Sequence, residues 1–315
     1  MQIADACAWS FCAWGNAQMI DIVYIGDGDY AAAIRVSAES ALRHAANQDD
    51  IRIHVVTDDP SFPDIGYDVR HWNRAAGELW HGTKLVWSRI DFGEIFPDCD
   101  WVVSCDGDTL WMAAPAELWE LRDEGLLLQA SRDVKAADGD VFEHYSWWSQ
   151  NKLSMSIEKC YCCGLMLMNL KRMRQEGFTE KCIQFCRRYP APPMREQTVM
   201  CYVAREASAP LPPEWGIFSF WHTSVARPKL VHYVQDLPWK RDKVNRLMSD
   251  IVLEWWKECD RLGMTDQFGG YRGCKNALDY FWRRIVYVLM RPFAGMIDRI
   301  SWVRPHFRNA RGFRR

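Results

Sequence analysis

Nowhere does this 315-residue chain approach the ~20 consecutive apolar residues that a membrane-crossing helix requires, so a spanning role is not expected. The amino-terminal "MQIADACAWSFCAWGNAQ" lacks the basic start of a secretory signal, and a clean strand pattern begins only at Met19. Residues 1–18 are therefore read as an extension without assigned function. Internal repeats are missing, which argues against solenoids and propellers. The twelve cysteines lack the spacing of a disulfide framework, and their scatter through a large chain suits a reduced, cytoplasmic protein. "CYCC" (Cys160, Cys162, Cys163) with Cys182 and Cys186 matches no common zinc spacing, and buried small apolar residues are the preferred reading. No helix-turn-helix, zinc-finger or RNA-recognition signature is present, so nucleic acid is not an expected partner.

Net charge is small overall but unevenly placed. The formal net charge is only −2, yet residues 272–315 hold eleven Lys or Arg against Asp279 and Asp298, a balance of +9 that leaves −11 for residues 1–271. What the chain has in excess is aromatic surface, with 17 Trp, 14 Phe and 11 Tyr; some of it should line a ligand site or an interface.

The hydrophobic pattern predicts an α/β fold. Met19 to Gly26 reads as a buried strand, Tyr30 to Ala45 as a helix with Ala33, Ile34, Ala38 and Ala41 on one face, and "IRIHVVTDD" as a second strand. Strand, helix, strand with short links implies a right-handed βαβ unit and a parallel sheet. Further along, Lys84 to Phe96 reads as a helix, "DCDWVVSC" as a strand, "APAELWEL" as a short helix and "EGLLLQASRD" as a strand. Residues 134–158 read as a polar-aromatic loop, a candidate substrate wall. "CCGLMLMNL" is then a strand entering one helix to Tyr189, a second helix follows Pro192 and Pro193, and "KLVHYVQDLPWK" holds a last short strand before a helical stretch to Gly263.

Two strands end in the same tripeptide: Asp27-Gly28-Asp29 and Asp106-Gly107-Asp108. In open α/β sheets ligands gather at carboxyl ends of strands. In extended backbone, residues i and i+2 point to one side, so Asp106 and Asp108 could converge on one divalent cation, with Gly107 permitting close approach. Asp-Gly-Asp is equally ordinary turn chemistry. His232, at the end of another predicted strand, is the third ligand that would favour the cation.

The order "DIVYIGDGDYA", "WSRIDFGEIFPDCDWVVSCDGDTL", "CGLMLMNLKRMR", "EQ", "HYVQDLPW" resembles the retaining glycosyltransferases of family eight, notably bacterial lipopolysaccharide galactosyl- and glucosyltransferases, over about Met19 to Lys240. The resemblance implies a GT-A nucleotide-sugar-binding fold and a manganese or magnesium ion held by Asp106, Asp108 and His232. It implies that Asp27, Asp29 and Tyr30 hold uridine, that Arg89 approaches donor sugar and phosphate beside Asp106 and Gly107, and that Asp133 holds sugar hydroxyls. Glu196 and Gln197 fall beneath the anomeric carbon. Two departures stand out. Cys162 in "YCCG" replaces an asparagine that touches the sugar, and "HYVQDLPW" is one residue shorter than the family's pattern and lacks its diphosphate-binding lysine, for which Lys240 could substitute.

The expected activity is transfer of a hexose from a UDP-sugar to a glycan or glycolipid, with retention of configuration by a nucleophile (Glu196 or Gln197) or by front-face attack. The alternative is a non-catalytic nucleotide-sugar-binding protein, which the departures favour. The expected layout is an extension over 1–18, a catalytic domain over 19–262 and a basic amphipathic helical segment over 263–315. That last segment suits either a solvated basic face or an anionic membrane surface on the cytoplasmic side.

Overall fold

A computed structural model describes residues 19–74, 84–132, 143–218, 227–234, 237–239 and 250–268, together with positions 281, 282, 285, 288 and 289. Residues 1–18 and most of 263–315 lie outside this set, and so do Asp133 and Lys240.

The β-branched run after Met19 forms β1 (Ile20–Ile25), every residue of it buried. Its alternate side chains enter separate cores: Val23 and Ile25 on one face, Ile20, Ile22 and Tyr24 on the other. Asp21 is the exception in an apolar strand, and it is compensated. Its carboxylate accepts from Arg52 Nε (2.6 Å) and lies 2.8 Å from His54 Nε2. Burial pushes this acid's pKa up, but the hydrogen bonds to His54 and Arg52 outweigh it and hold the acid below its ordinary value. Helix α1 (Ala31–His44) turns Ala31, Ala33, Ile34, Ala38 and Ala41 inward and Arg35 outward, as its spacing predicts. Strand β2 (Ile51–Thr57) then pairs parallel to β1, with Ile20 opposite Ile51, and β3 (Asp68–His71) adds a parallel edge.

The helix expected over Lys84 to Phe96 is instead a run of 3₁₀ turns, Lys84–Asp91, followed by a short α2 (Phe92–Ile95). Ser88, Arg89, Ile90, Asp91 and Phe92 are all buried, so this segment is packed on every side rather than along one stripe. Strand β4 (Trp101–Asp106) lies on the other side of β1 and parallel to it, with Ile25 opposite Asp106. Both DGD tripeptides therefore leave the sheet at one rim.

The remaining elements are β5 (Thr109–Trp111), α3 (Pro115–Trp119), β6 (Leu128–Arg132), α4 (Glu143–Gln150), β7 (Tyr161–Asn169), α5 (Leu170–Gln175), α6 (Phe178–Arg188), α7 (Glu196–Val203), β8 (Ser208–Pro210), β9 (Trp215–Phe218), β10 (Leu230–His232) and α8 (Asp250–Arg261). The loop expected over 134–158 thus holds α4, seated by buried Trp148 and by Trp147 against Phe185 and Tyr189. The single helix expected to Tyr189 breaks at Gly177 into α5 and α6.

Seven strands form one sheet in the order β3-β2-β1-β4-β7-β6-β8, and β5-β10-β9 form a second. Only β7 runs against its neighbours in the large sheet, pairing antiparallel with β4 and β6. Its start therefore meets the ends of β4 and β6 at the DGD rim, and the register shift after Ala130 bends the sheet there. A third core joins α1, α8 and the small sheet through Val36, Leu110, Val231, Trp255 and Trp256. Among the described residues the nine cysteines are in no disulfide and all are buried, as apolar residues would be.

Candidate functional site

Asp106 ends β4 and Asp108 precedes β5, so the tripeptide is a turn between two sheets rather than extended backbone. The carboxylates converge because the chain folds back, not because i and i+2 share a strand face. Thr109 fastens the turn, its hydroxyl donating to the Asp106 carbonyl at 2.8 Å. A side chain at Gly107 would come within 2.7 Å of Ile34 Cγ1, so the close approach that needs glycine is to α1.

The small sheet brings in the histidine. β10 pairs antiparallel with β5, placing His232 opposite Thr109, and the Tyr233 N–H donates to the Asp108 carbonyl at 2.8 Å. His232 is 2% exposed, and its Nε2 lies 3.2 Å from Asp108 Oδ1 and 3.5 Å from Asp106 Oδ2 without the direction of a hydrogen bond to either. Adjacent ligands of a small divalent cation with bonds near 2.1 Å stand about 3 Å apart, so this buried nitrogen and two carboxylates fit such an ion. Two carboxylates and one imidazole are a donor set for a divalent cation. Among the described residues this is the one group of three acidic, histidine or cysteine side chains close enough to share an ion; the CYCC thiols form none. Burial opposes a proton on His232, yet the Asp108 carboxylate and then the Cys162 sulfur outweigh it, and the ring's pKa is lifted well above its ordinary value.

Arg89 arrives from the 3₁₀ run and is 3% exposed. Its guanidinium is wholly engaged, with one nitrogen on Asp106 Oδ1, another donating to Glu196 Oε1 at 2.8 Å, and Nε donating to Ser104 Oγ at 3.4 Å. Though burial disfavours its charge, Asp106 and Glu196 raise its pKa further. Asp106 thus divides its oxygens, Oδ1 to arginine and Oδ2 toward histidine. The resemblance implied that Arg89 approaches donor sugar and phosphate; among the described residues its guanidinium bridges Asp106 and Glu196.

Glu196 and Gln197 open α7, both buried. Gln197 Oε1 accepts from the Cys163 N–H at 3.2 Å. Among the described residues, Gln197 Nε2 and Glu196 Oε2 have no partner, so two buried polar atoms are left for something else. Burial raises the Glu196 carboxyl above its ordinary pKa despite the opposing Arg89.

Asp27 and Asp29 are exposed on the same rim, and the Gly28 N–H between them donates to Asp59 Oδ2 at 3.2 Å. Tyr30 links the two tripeptides: its hydroxyl is pushed up to about 12 by burial, then by Asp108 and Asp106, then by Asp27 and Asp29. Its ring meets the edge of Trp239 at 6.2 Å. The residues brought together are thus Asp27, Asp29, Tyr30, Arg89, Asp106, Asp108, Glu196, Gln197 and His232. Sequence reading missed Ser104, Asp59 and Gly164. Gly164, a glycine inside an apolar strand, carried a readable sign of close approach.

The sequence model of Glycosyl transferase family 8 matches residues 69–243. No curated protein matches the chain significantly in sequence. Among solved structures, galactosyltransferase LgtC in complex with donor and acceptor sugar analogs is 19% identical, with a TM-score of 0.61 over 77% of this chain and 96% of its own. GlyE of Streptococcus pneumoniae TIGR4 is 18% identical, with a TM-score of 0.54 over 76% of this chain and 60% of its own. Mouse xyloside xylosyltransferase 1 is 14% identical, with a TM-score of 0.53 over 70% and 99%.

Proposed function

The chain belongs to glycosyl transferase family 8 and has its GT-A fold, and from that premise we propose that it moves a hexose from a UDP-sugar to a glycan with retention of configuration. The observation that carries this reading is the buried His232 Nε2 facing Asp106 and Asp108. These three would hold manganese or magnesium, which supplies Lewis-acid stabilisation to the diphosphate that leaves. The chain's own residues do the rest. Asp27, Asp29 and Tyr30 receive the nucleoside, and Arg89 neutralises Asp106 from behind. The unpartnered Glu196 Oε2 and Gln197 Nε2 face the sugar, Asp133 is assigned to the sugar hydroxyls, and Lys240 to the diphosphate. As the bond from C1 to the β-phosphate oxygen breaks, the bond from C1 to the acceptor oxygen forms and the acceptor hydroxyl's proton passes to the departing diphosphate. The catalytic domain is taken as 19–262, with 1–18 and 263–315 as appendages.

Screening UDP-glucose, UDP-galactose and their N-acetyl forms with the full chain tests this. Manganese-dependent hydrolysis of at least one donor is expected. Calorimetric UDP binding with neither hydrolysis nor transfer from any of them overturns the enzymatic reading in favour of the non-catalytic one.

The acceptor is proposed to be a lipopolysaccharide, lipooligosaccharide or other cell-surface glycan met at an anionic membrane surface. Among the described residues no helix is long and apolar enough to cross a membrane. Phe281, Trp282, Ile285, Val288 and Leu289 have helical backbone and the spacing of a single face, and Phe281, Trp282, Val288 and Leu289 are 55–65% exposed. With the surrounding arginines this favours a peripheral basic helix. The chain should sediment with vesicles containing phosphatidylglycerol more than with pure phosphatidylcholine, and Trp282→Asp with Leu289→Asp should abolish the difference. Equal sedimentation of both forms would remove the membrane from the proposal.

A further inference from the structure

We propose that Cys162 is a positioning residue for His232: its sulfur receives the Nδ1 proton and so turns Nε2, with its lone pair, toward the two carboxylates. The assignment rests on the cation reading above. Cation binding displaces a proton from Nε2, and the neutral ring that results must keep its remaining proton on Nδ1. At 2% exposure, Nδ1 cannot give it to solvent. Among the described residues the hydrogen-bonding partner of Nδ1 is Cys162 Sγ, 3.7 Å away.

The sulfur is already used as an acceptor. The Gly164 N–H donates to the same Sγ at 3.5 Å, so in the proposed tautomer two N–H groups converge on it from β7 and β10. Cys162 is 7% exposed, and Ser131 of β6 pairs with it at the register shift of the large sheet. The imidazole itself is wedged. The Gly164 backbone lies so near one side that an added Cβ would come within 2.2 Å of His232 Cε1, while Phe218 presents its ring at 5.6 Å. Packing sets where the ring lies, and Cys162 sets which nitrogen holds the proton. The residue that departs from the family's asparagine therefore serves the cation ligand, in place of the sugar contact that the resemblance implies for this position.

The test is manganese affinity, measured calorimetrically on the full chain, for the native protein, Cys162→Ala and Cys162→Ser. UDP binding without metal and thermal unfolding serve as controls. Losing an outer partner of a metal-ligating histidine typically weakens the metal roughly 10–100-fold, the loss expected for alanine. Serine keeps an acceptor on the same carbon and should restore affinity to within about threefold of the native chain. Metal-free UDP affinity should not change. Native manganese affinity in Cys162→Ala overturns this assignment alone, and so does an equal loss in both variants, because a packing role would not distinguish serine from alanine. A native chain without manganese affinity overturns the cation reading and this assignment together.

Discussion

Asp108→Asn is expected to abolish manganese-dependent turnover while the protein stays folded. The substitution keeps shape and volume and removes one of the two charges facing His232 Nε2, the oxygen at 3.2 Å. Removing a single preorganised stabiliser of a developing oxyanion costs at least roughly 10²-fold in rate, and a charged ligand should cost no less. Asp108 is the cleaner of the two aspartates to change. Asp106 also holds Arg89, so Asp106→Asn would leave a guanidinium that is 3% exposed with Glu196 as its single carboxylate partner, and stability would fall together with cation binding. Asp108 makes no such ion pair with arginine or lysine among the described residues, and its side chain is 13% exposed. A melting temperature close to native with turnover and manganese affinity both lost is therefore the result expected of Asp108→Asn. Undiminished turnover from any UDP-sugar would remove these carboxylates from the chemistry.

How far the site was legible in the sequence follows from the range over which each part is determined. The two DGD tripeptides could be placed on one rim because each follows a buried apolar run and a single helix separates the first two strands; those are local signals, and the β1–β4 register agrees with them. The convergence of Asp106 and Asp108 was expected for the wrong local reason, since the chain turns there. The direction of β7 was not readable at all. Its nine buried residues carry no sign of whether the strand runs with or against β4, because a strand buried on both faces loses its alternation. β3, β5, β8 and β9 were missed as too short for a periodic signal, and the 3₁₀ run as a segment buried on every side. Arg89 shows the same limit at the level of chemistry. Its partners Asp106 and Glu196 lie 17 and 107 positions away, and only the assembled sheet brings them to its guanidinium.

Gly164→Ala should disable the site from the other side, without replacing any group proposed to bind a cation. The added methyl would stand 2.2 Å from His232 Cε1, 2.4 Å from Nδ1 and 3.0 Å from Nε2, far inside ordinary contact. Neither party can yield easily: Gly164 lies within β7, and the His232 backbone is paired with Thr109 on one side and Phe218 on the other. The ring must swing away from Gly164, and Nε2 leaves its place between the carboxylates. Overpacking of this kind costs about 1–3 kcal/mol, and manganese affinity should fall by at least the roughly 10–100-fold expected for a misplaced histidine ligand. Gly107→Ala is the companion case: its methyl would stand 2.7 Å from Cγ1 of Ile34, a buried β-branched side chain held on α1, so it should cost comparable stability without pushing directly on His232. A double-mutant cycle decides whether the imidazole is the reason for the glycine. In a His232→Ala background Gly164→Ala should add little further loss of stability, since the clashing ring is gone. An equal cost in both backgrounds would mean that β7 needs glycine for its own backbone, and a Gly164→Ala chain with native manganese affinity would mean that His232 does not depend on the space Gly164 leaves.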